Sequence, residues 1–354
     1  MKINKLHLLN YRSYQDQTFE FEDGLNLLIG KNAQGKTNVL EAIFFAVIGR
    51  SFRTGKEKEV IRWGENYGKI EAEFDNGYRK ITIQIVLNSQ HKKSVLVDGI
   101  SLHKIGELLG RTNAVFFSPN ELKLVKESPE DRRKFLNVAI SQTNKRYFYL
   151  LGRYEKVLAN RNKLLKCSEN IDVVKETIDI WNRSLCEIAE KIFEERKKFV
   201  DELAPYAEKA HEYLSNGEEK LKVEYKSDFN ENYGQNLMKY LQKNLEKDFK
   251  LGYTTAGIHR DDLNLYVNDV EVKNYGSQGQ QRTAALSLKL AELECNKNRT
   301  GQYPILLLDD VFSELDEERR KRLLKFTHKT QTIITGTEIT EKNNGKVIKI
   351  IKKS

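Results

Sequence analysis

Cysteine is scarce here and carries no pairing pattern. The 354 residues hold three, Cys167, Cys186 and Cys295; an odd number without C-x-x-C spacing argues against both a disulfide framework and a zinc site. Long apolar runs are lacking too. No stretch approaches the ~20 apolar residues that a membrane helix needs, and the opening MKINKLHLLNY has no apolar core of a secretory signal. The chain is therefore expected to be cytoplasmic, neither exported nor membrane-spanning. Internal repeats and low-complexity segments are likewise absent.

What is present begins with charge. Sixty Lys and Arg against 51 Asp and Glu give a net charge of +9. From Glu317 to Ser354 there are 11 basic and 4 acidic residues, so most of the excess sits at the C-terminal end, and an anionic partner such as nucleic acid fits that asymmetry. The length suffices for a sizeable core and suggests two or three domains.

Along the chain, KINKLHLL, QTFEFEDG and GLNLLIG (Lys2–Gly30) read as strands, the last a buried one leading into a loop. Between Lys69 and Asp98 the alternating segments KIEAEF, YRKITIQIVL and KSVLV, broken by Asp75-Asn-Gly77, predict an antiparallel side-sheet. Beyond Pro119, Pro and Gly nearly vanish. Tyr147, Leu151, Tyr154 and Leu158, then Ile178, Trp181, Leu185, Ile188 and Ile192, continued by Phe199 and Leu203, step by threes and fours. The spacing predicts two long helices paired as an antiparallel arm, joined through Cys167–Asp172, with Trp181 as core filling and Pro205 ending the second helix. Further on, helices alternate with short apolar strands such as YPILLLDD and QTII, the pattern of a parallel α/β domain.

Gly30-Lys-Asn-Ala-Gln-Gly-Lys-Thr37 fits the phosphate-loop pattern and lies between a strand and a helix, as that loop requires. Gly30 and Gly35 let the backbone of Gly30, Lys31, Asn32, Ala33, Gln34, Gly35, Lys36, Thr37 and Asn38 turn its N–H groups onto phosphates at the start of a helix. Lys36 is expected to neutralise the outer phosphates of ATP, and Thr37 to offer its hydroxyl to Mg²⁺. Such a loop needs a carboxylate on a neighbouring strand. Asp309 and Asp310, closing the apolar run of Ile305 to Leu308, supply it: Asp309 as metal ligand, Asp310 as the group that orients attacking water. Roughly 270 residues separate loop from carboxylate, more than one compact α/β domain holds. The expected organisation is therefore a split head, residues 1–118 and 250–354, with residues 119–249 inserted as a helical arm domain.

Tyr275-Gly-Ser-Gln-Gly-Gln-Gln-Arg282 opens another helical pattern. Ser277 and Gln280 form an S-x-x-Q capping pair, which fixes the helix start and presents its dipole. The chain's own phosphates are already provided for, so Ser277, Gly279 and Gln280 are expected to face the γ-phosphate of a nucleotide held by a second copy. Phosphate loop, S-x-G-Q, strand with two acids and Ser313-Glu-Leu-Asp316 stand in the order used by ATP-binding-cassette heads. In that arrangement Asp316 crosses between protomers and Thr335-Gly-Thr337 lies beside the γ-phosphate, with Thr337 as the sensor.

Asn10-Tyr-Arg-Ser-Tyr14, the phosphate loop, Gly49-Arg-Ser-Phe-Arg-Thr54, Phe117-Ser-Pro-Asn120, His259-Arg-Asp-Asp-Leu263, Tyr275 to Arg282 and Leu306 to Asp316 together resemble the RecF family of bacterial recombination mediators, over nearly the whole chain and least in the arm. The resemblance implies an α/β P-loop ATPase head of the ATP-binding-cassette type, like those of structural-maintenance-of-chromosomes proteins, with an antiparallel side-sheet and a short helical arm. It implies ATP-dependent homodimerisation, slow DNA-stimulated hydrolysis with Mg²⁺, binding of double-stranded or gapped DNA without base specificity, nucleoid association, and action with RecR and RecO to place RecA at gaps. Arg12, Arg50 and Arg53 become candidates for nucleotide or DNA contact. The sequence departs from transporter heads in three places. Asp310 stands where they place Glu, Thr337 where they place His, and Gln278 replaces the first glycine of the signature pair.

Other readings remain open at this level: a transporter ATPase subunit, another SMC-like DNA clamp, or a phosphotransferase sharing the loop. An N-K-x-D guanine motif is missing, and His259-Arg-Asp261 lacks the Asn five residues on that a kinase loop requires. His259 is expected to be a local hydrogen-bonding residue.

Overall fold

The computed structural model describes residues 1–337 and 345–350. Three strands open the chain, β1 (Lys2–Tyr11), β2 (Tyr14–Glu20) and β3 (Leu25–Ile29), before helix α1 (Lys36–Ile48). Then come β4 (Tyr67–Asp75), β5 (Lys80–Asn88), β6 (Ser94–Val97), β7 (Ile100–Ser101) and β8 (Ala114–Phe117). A helical stretch follows: α2 (Lys123–Lys126), α3 (Pro129–Thr143), α4 (Lys145–Cys167) and α5 (Ile171–Leu214). The remainder alternates: β9 (Leu221–Lys226), α6 (Tyr233–Lys243), α7 (Leu245–Leu251), β10 (Asp262–Val267), β11 (Val270–Glu271), α8 (Val272–Tyr275), α9 (Gln278–Thr300), β12 (Ile305–Leu308), α10 (Glu317–Thr327), β13 (Thr332–Gly336) and β14 (Lys346–Lys349).

The parallel sheet, in the order β14-β3-β13-β12-β8, sets the architecture because successive strand residues point to opposite faces. Leu28, Ala114, Phe116, Ile305, Leu307 and Ile333 face one side, with α1 and the inward residues of the antiparallel sheet β2-β1-β4-β5-β6-β7. Leu27, Val115, Phe117, Leu306, Leu308 and Ile334 face the other, with α3, α4, α5 and α9. Burial on both faces is why these strands read as unbroken apolar runs such as ILLL. Helix α1 lies enclosed between the two sheets, and from Val39 to Ile48 every residue is buried, as an all-round apolar helix demands. The α/β head with an antiparallel side-sheet is the arrangement expected. Strands β3, β8, β12 and β13 end along one edge, where the phosphate loop, Ser118, Asp309 and Thr335 gather.

Four expectations need amendment. Pro205 does not end the second helix; α5 continues through it to Leu214. A proline inside a helix costs about 3 kcal/mol, and the burial of Ala207, Ala210 and Leu214 beyond it offsets that cost. Trp181 is only half-buried; at that level the seam passes through Asn182, which is buried and accepts from Arg161 Nε at 2.8 Å. The boundary between 249 and 250 crosses a sheet, because β9 pairs antiparallel with β10 from Leu221↔Val267 to Lys226↔Asp262. Helices α4 and α5 do pair, and at their far end Leu165, Val174 and Ile178 form a small cluster with Leu164, Leu245 and Phe249, yet most of the buried residues of 119–249 share one continuous core with the head. Within the basic C-terminal stretch, Arg319, Lys321, Arg322, Lys329 and Lys346 pair with Asp316, Glu317, Glu318, Glu294 and Glu22.

Candidate functional site

The loop from Gly30 to Gly35 is bent by backbone conformations that side chains resist. Gly35 has φ +104°, and a Cβ there would lie 2.7 Å from Ser13 Oγ and 2.9 Å from the Tyr14 hydroxyl oxygen. At Gly30 a Cβ would meet Gln34 Oε1 and the Ile350 carbonyl, both at 2.5 Å. Glycine at both positions lets neighbouring chain close on the loop and leaves its mouth to a ligand. Inside the turn, Lys31 N donates to Gln34 Oε1 (2.8 Å). Lys36 Nζ folds across the mouth and donates to the carbonyls of Gly30 (2.5 Å) and Lys31 (3.0 Å). Burial lowers the Lys36 pKa from its ordinary value, while Asp310 and Asp309 act to raise it. A cation lying on backbone carbonyls at the mouth of the loop suits an anionic ligand.

Asp309, at the end of β12, is nearly buried. Its Oδ1 accepts from two hydroxyls, Thr37 Oγ1 at 2.9 Å and Thr335 Oγ1 at 2.8 Å. Burial raises its pKa, against the two hydroxyls, which lower it. The Thr335 hydroxyl also accepts from Asp310 N (2.8 Å), fixing Asp310 in a left-handed backbone conformation (φ 50°) with its side chain exposed. Thr37 and Asp309 offer hard oxygen donors side by side, the set that Mg²⁺ prefers, and the loop mouth with Lys36 suits a polyphosphate. The residues present therefore fit both groups.

Sequence reasoning chose Thr337, which the structure leaves exposed beyond the end of β13. Thr335 is the residue that meets the carboxylate. The strand register decides it, since Leu308 stands opposite Ile334 and Asp309 is therefore level with Thr335. Arg12 is engaged at all three nitrogens, with the buried Glu41 (2.7 and 3.0 Å) and the Glu59 carbonyl (2.8 Å). It braces the flank of the loop. Asn38 bridges Ser13 Oγ (3.1 Å) and Arg53 Nη1 (3.0 Å). His259 lies between the Tyr154 hydroxyl (2.7 Å) and the Thr254 carbonyl (3.1 Å), the local role expected of it.

The helix tip carries the full capping box. Gln280 N donates to Ser277 Oγ (3.2 Å), and Ser277 N to Gln280 Oε1 (2.9 Å). Gln280 Nε2 also donates to Glu219 Oε1 (3.0 Å), a partner that no sequence signal marks. Ser277, Gln278 and Gly279 are exposed. A Cβ at Gly279 would meet nothing nearer than Ser277 Oγ at 3.8 Å, and its φ is not positive, so nothing within this chain calls for glycine. Asp316 caps α10, accepting from Arg319 N (2.8 Å) and pairing with the Arg319 guanidinium.

From Thr37 and Asp309 a cleft of about 580 Å³ runs past Arg53, Ser118 and Asn120 to Lys289 on α9. It joins the metal-ligand pair to the helix that bears the Ser277 tip.

The sequence model of the family described as RecF/RecN/SMC N terminal domain matches residues 2–353. The chain is 41% identical to the DNA replication and repair protein RecF of Clostridium novyi (strain NT), over 96% of this chain and 94% of that protein. To its namesake in Clostridioides difficile (strain 630) it is also 41% identical, over 97% and 93%. The chain belongs to the RecF family. Among solved structures, the recombination mediator protein RecF with ATP in the RecFOR pathway superposes with a TM-score of 0.91 at 35% identity, over 99% of this chain and 95% of that one. The Smc head domain of Pyrococcus furiosus, at a TM-score of 0.55 and 19% identity over 95% and 89%, shares the fold.

Proposed function

We propose that the chain is an ATP-dependent DNA-binding ATPase of recombinational repair and replication-fork maintenance, which closes head to head on ATP and reopens after slow, DNA-stimulated hydrolysis. The loop amides and Lys36 bind the phosphates, Thr37 and Asp309 hold Mg²⁺, and Asp310, fixed through its backbone by Thr335, orients the attacking water. Bound Mg²⁺ supplies charge neutralisation at the outer phosphates. The tip of α9 in a second copy, with Ser277, Gly279 and Gln280, completes the site, Asp316 lies at the crossing between protomers, and Thr337 faces the γ-phosphate. RecR and RecO are the partners this family membership points to, with RecA loaded at single-strand gaps as the outcome, on double-stranded or gapped DNA in the nucleoid.

The observation that carries this reading is the exposed Gly279 at a pre-formed helix cap. A helix start with free amides is an anion site, a side chain there would hinder close approach of another molecule, and the glycine answers no need of its own chain. Sedimentation with ATP, with ADP and without nucleotide tests it. ATP with Mg²⁺ should convert monomer to dimer, Lys36→Met should abolish the shift, and Asp310→Asn should give a persistent ATP-bound dimer with little turnover. A protein that saturates with ATP yet stays monomeric would refute the arrangement.

A further inference from the structure

A second cleft, of about 790 Å³, opens between the segment after α1 and helices α3 and α4. Its charged lining is Arg50, Arg53, Lys93, Lys134, Arg153 and Lys156, against only Glu57 and Glu155. Lys93 pairs with Glu57, and Arg53 is held by Asn38 and Glu41. Arg50, Lys134, Arg153 and Lys156 are exposed and form no ion pair among the described residues. The Lys93 ammonium is pushed below its ordinary pKa by burial and then by Arg50, whose positive charge stands close to it. Such a concentration inside a concave wall focuses field on an incoming anion.

The cleft also has an aromatic wall. Tyr149 is 40% exposed, stands edge-on to Phe148 at 5.6 Å and is backed by Gly106, where a Cβ would come within 2.6 Å of the ring. The close backbone fixes the ring and leaves part of it to solvent. Cations that track a backbone beside a fixed aromatic ring are the means by which single strands are held, because an unpaired base can stack where a paired one cannot. The cleft is continuous with the one at Thr37 and Asp309, the two sharing Phe52, Arg53, Lys134 and Val138.

We propose that this cleft binds single-stranded DNA, with phosphates on Arg50, Lys134, Arg153 and Lys156 and a base stacked on Tyr149. The inference rests on the reading of the chain as a DNA-binding ATPase and assigns the strand its place. Arg53 lines both clefts and donates to Asn38, next to Thr37, so a seated strand lies one side chain from the phosphate loop.

The test uses the full chain with ATP and Mg²⁺ and a labelled single-stranded oligonucleotide, its duplex of equal length and a poly-glutamate competitor, read by fluorescence anisotropy across a salt series. Each phosphate contact on a single strand contributes about −0.7 to the slope of log affinity against log salt. Replacing Arg50, Lys134, Arg153 and Lys156 together with Ala should therefore flatten the slope by about 3, and each single replacement by about 0.7. Lys239→Ala with Lys243→Ala, on α6, should leave it unchanged. Tyr149→Ala should weaken single-strand binding by about tenfold and duplex binding hardly at all. ATP-induced dimerisation of every variant, followed by sedimentation, should stay intact, which separates failure of this cleft from failure of the head. A wild-type slope in the fourfold variant, equal losses on strand and duplex for Tyr149→Ala, or poly-glutamate competing as well as DNA would each overturn the assignment. Absence of DNA binding by the unaltered chain would overturn the proposed function with it.

Discussion

Thr335→Val changes one hydroxyl into a methyl and leaves the shape of a buried side chain intact, so its effects isolate two hydrogen bonds. The hydroxyl donates to Asp309 Oδ1 at 2.8 Å and accepts from Asp310 N at 2.8 Å. A bond to a carboxylate contributes about 1.5–3 kcal/mol and one from a backbone amide about 0.5–1.5 kcal/mol, so the variant should lose about 2–4 kcal/mol of stability. The functional effect differs in kind. Losing a group that orients a metal ligand typically costs about 10–100-fold in metal affinity. The Mg²⁺ concentration giving half-maximal ATP turnover should rise by that factor, with turnover at saturating Mg²⁺ reduced less. The pH profile provides a second reading. Burial holds the Asp309 pKa above its ordinary value and the Thr335 hydroxyl works to lower it, so metal-dependent activity is lost as pH falls through that raised pKa. In Thr335→Val the loss should begin at higher pH. Thr335→Ser should restore both properties, and Thr337→Val should leave the Mg²⁺ dependence unchanged. An unaltered Mg²⁺ midpoint and acid limb in a merely less stable Thr335→Val protein would reduce Thr335 to a packing residue.

His259 titrates at about 4, against an ordinary 6.5, through burial first and then the repulsion of Arg260, Arg133 and Arg161. Between those values the unfolded chain takes up a proton that the folded one refuses, so stability is full above about pH 6.5 and falls towards pH 4, by on the order of 3 kcal/mol. Denaturation midpoints measured across that range should show the decline, and His259→Gln should flatten it. Arg161 is wholly buried and donates to Asn182 (2.8 Å), Asp248 (2.8 Å) and Thr254 (2.7 Å); Arg161→Met strands the equally buried Asp248 and should cost about 3–5 kcal/mol in urea unfolding. A loss below about 1 kcal/mol would mean that the bonds from Thr255 to Asp248 suffice to hold it without the guanidinium. Gly35→Ala must hold φ +104° and displace Ser13 and Tyr14. Equilibrium titration with a fluorescent ATP analogue should show at least tenfold weaker binding, and wild-type affinity would show that the loop relaxes without cost.

Much of the head was legible because its signals are local. The phosphate loop is a strand, a turn and a helix in succession. The Ser277 cap is four residues long, and the β12 acids end an apolar run. What was not legible depends on relations between distant segments. Thr335 lies within β13 and Thr337 just beyond its end, and only the register against β12, set by packing across the sheet, brings the first to Asp309. The persistence of α5 through Pro205 is likewise decided by what α9 buries beyond it. Net charge does not locate the free cations, for a related reason. Several cations after Glu317 have acidic partners, whereas the unpaired cations Arg50, Lys134, Arg153 and Lys156 come from three separate segments that only folding assembles.

The internal partners of the dimer-facing residues bear on how the head must work. Gln280 is bonded to Ser277 and Glu219, and Asp316 to Arg319. In the proposed dimer, bonds made within the chain must be exchanged for bonds across the interface, and an exchange of hydrogen bonds leaves a small net gain. The protein surface alone therefore offers little reason to dimerise at this tip. The largest unmatched terms are charges: Lys36 resting on carbonyls, and the helix start at Gly279 with amides exposed. In the proposed arrangement both are satisfied only when phosphate lies between them, so under that reading dimer formation is conditional on the nucleotide and its reversal follows from losing the γ-phosphate.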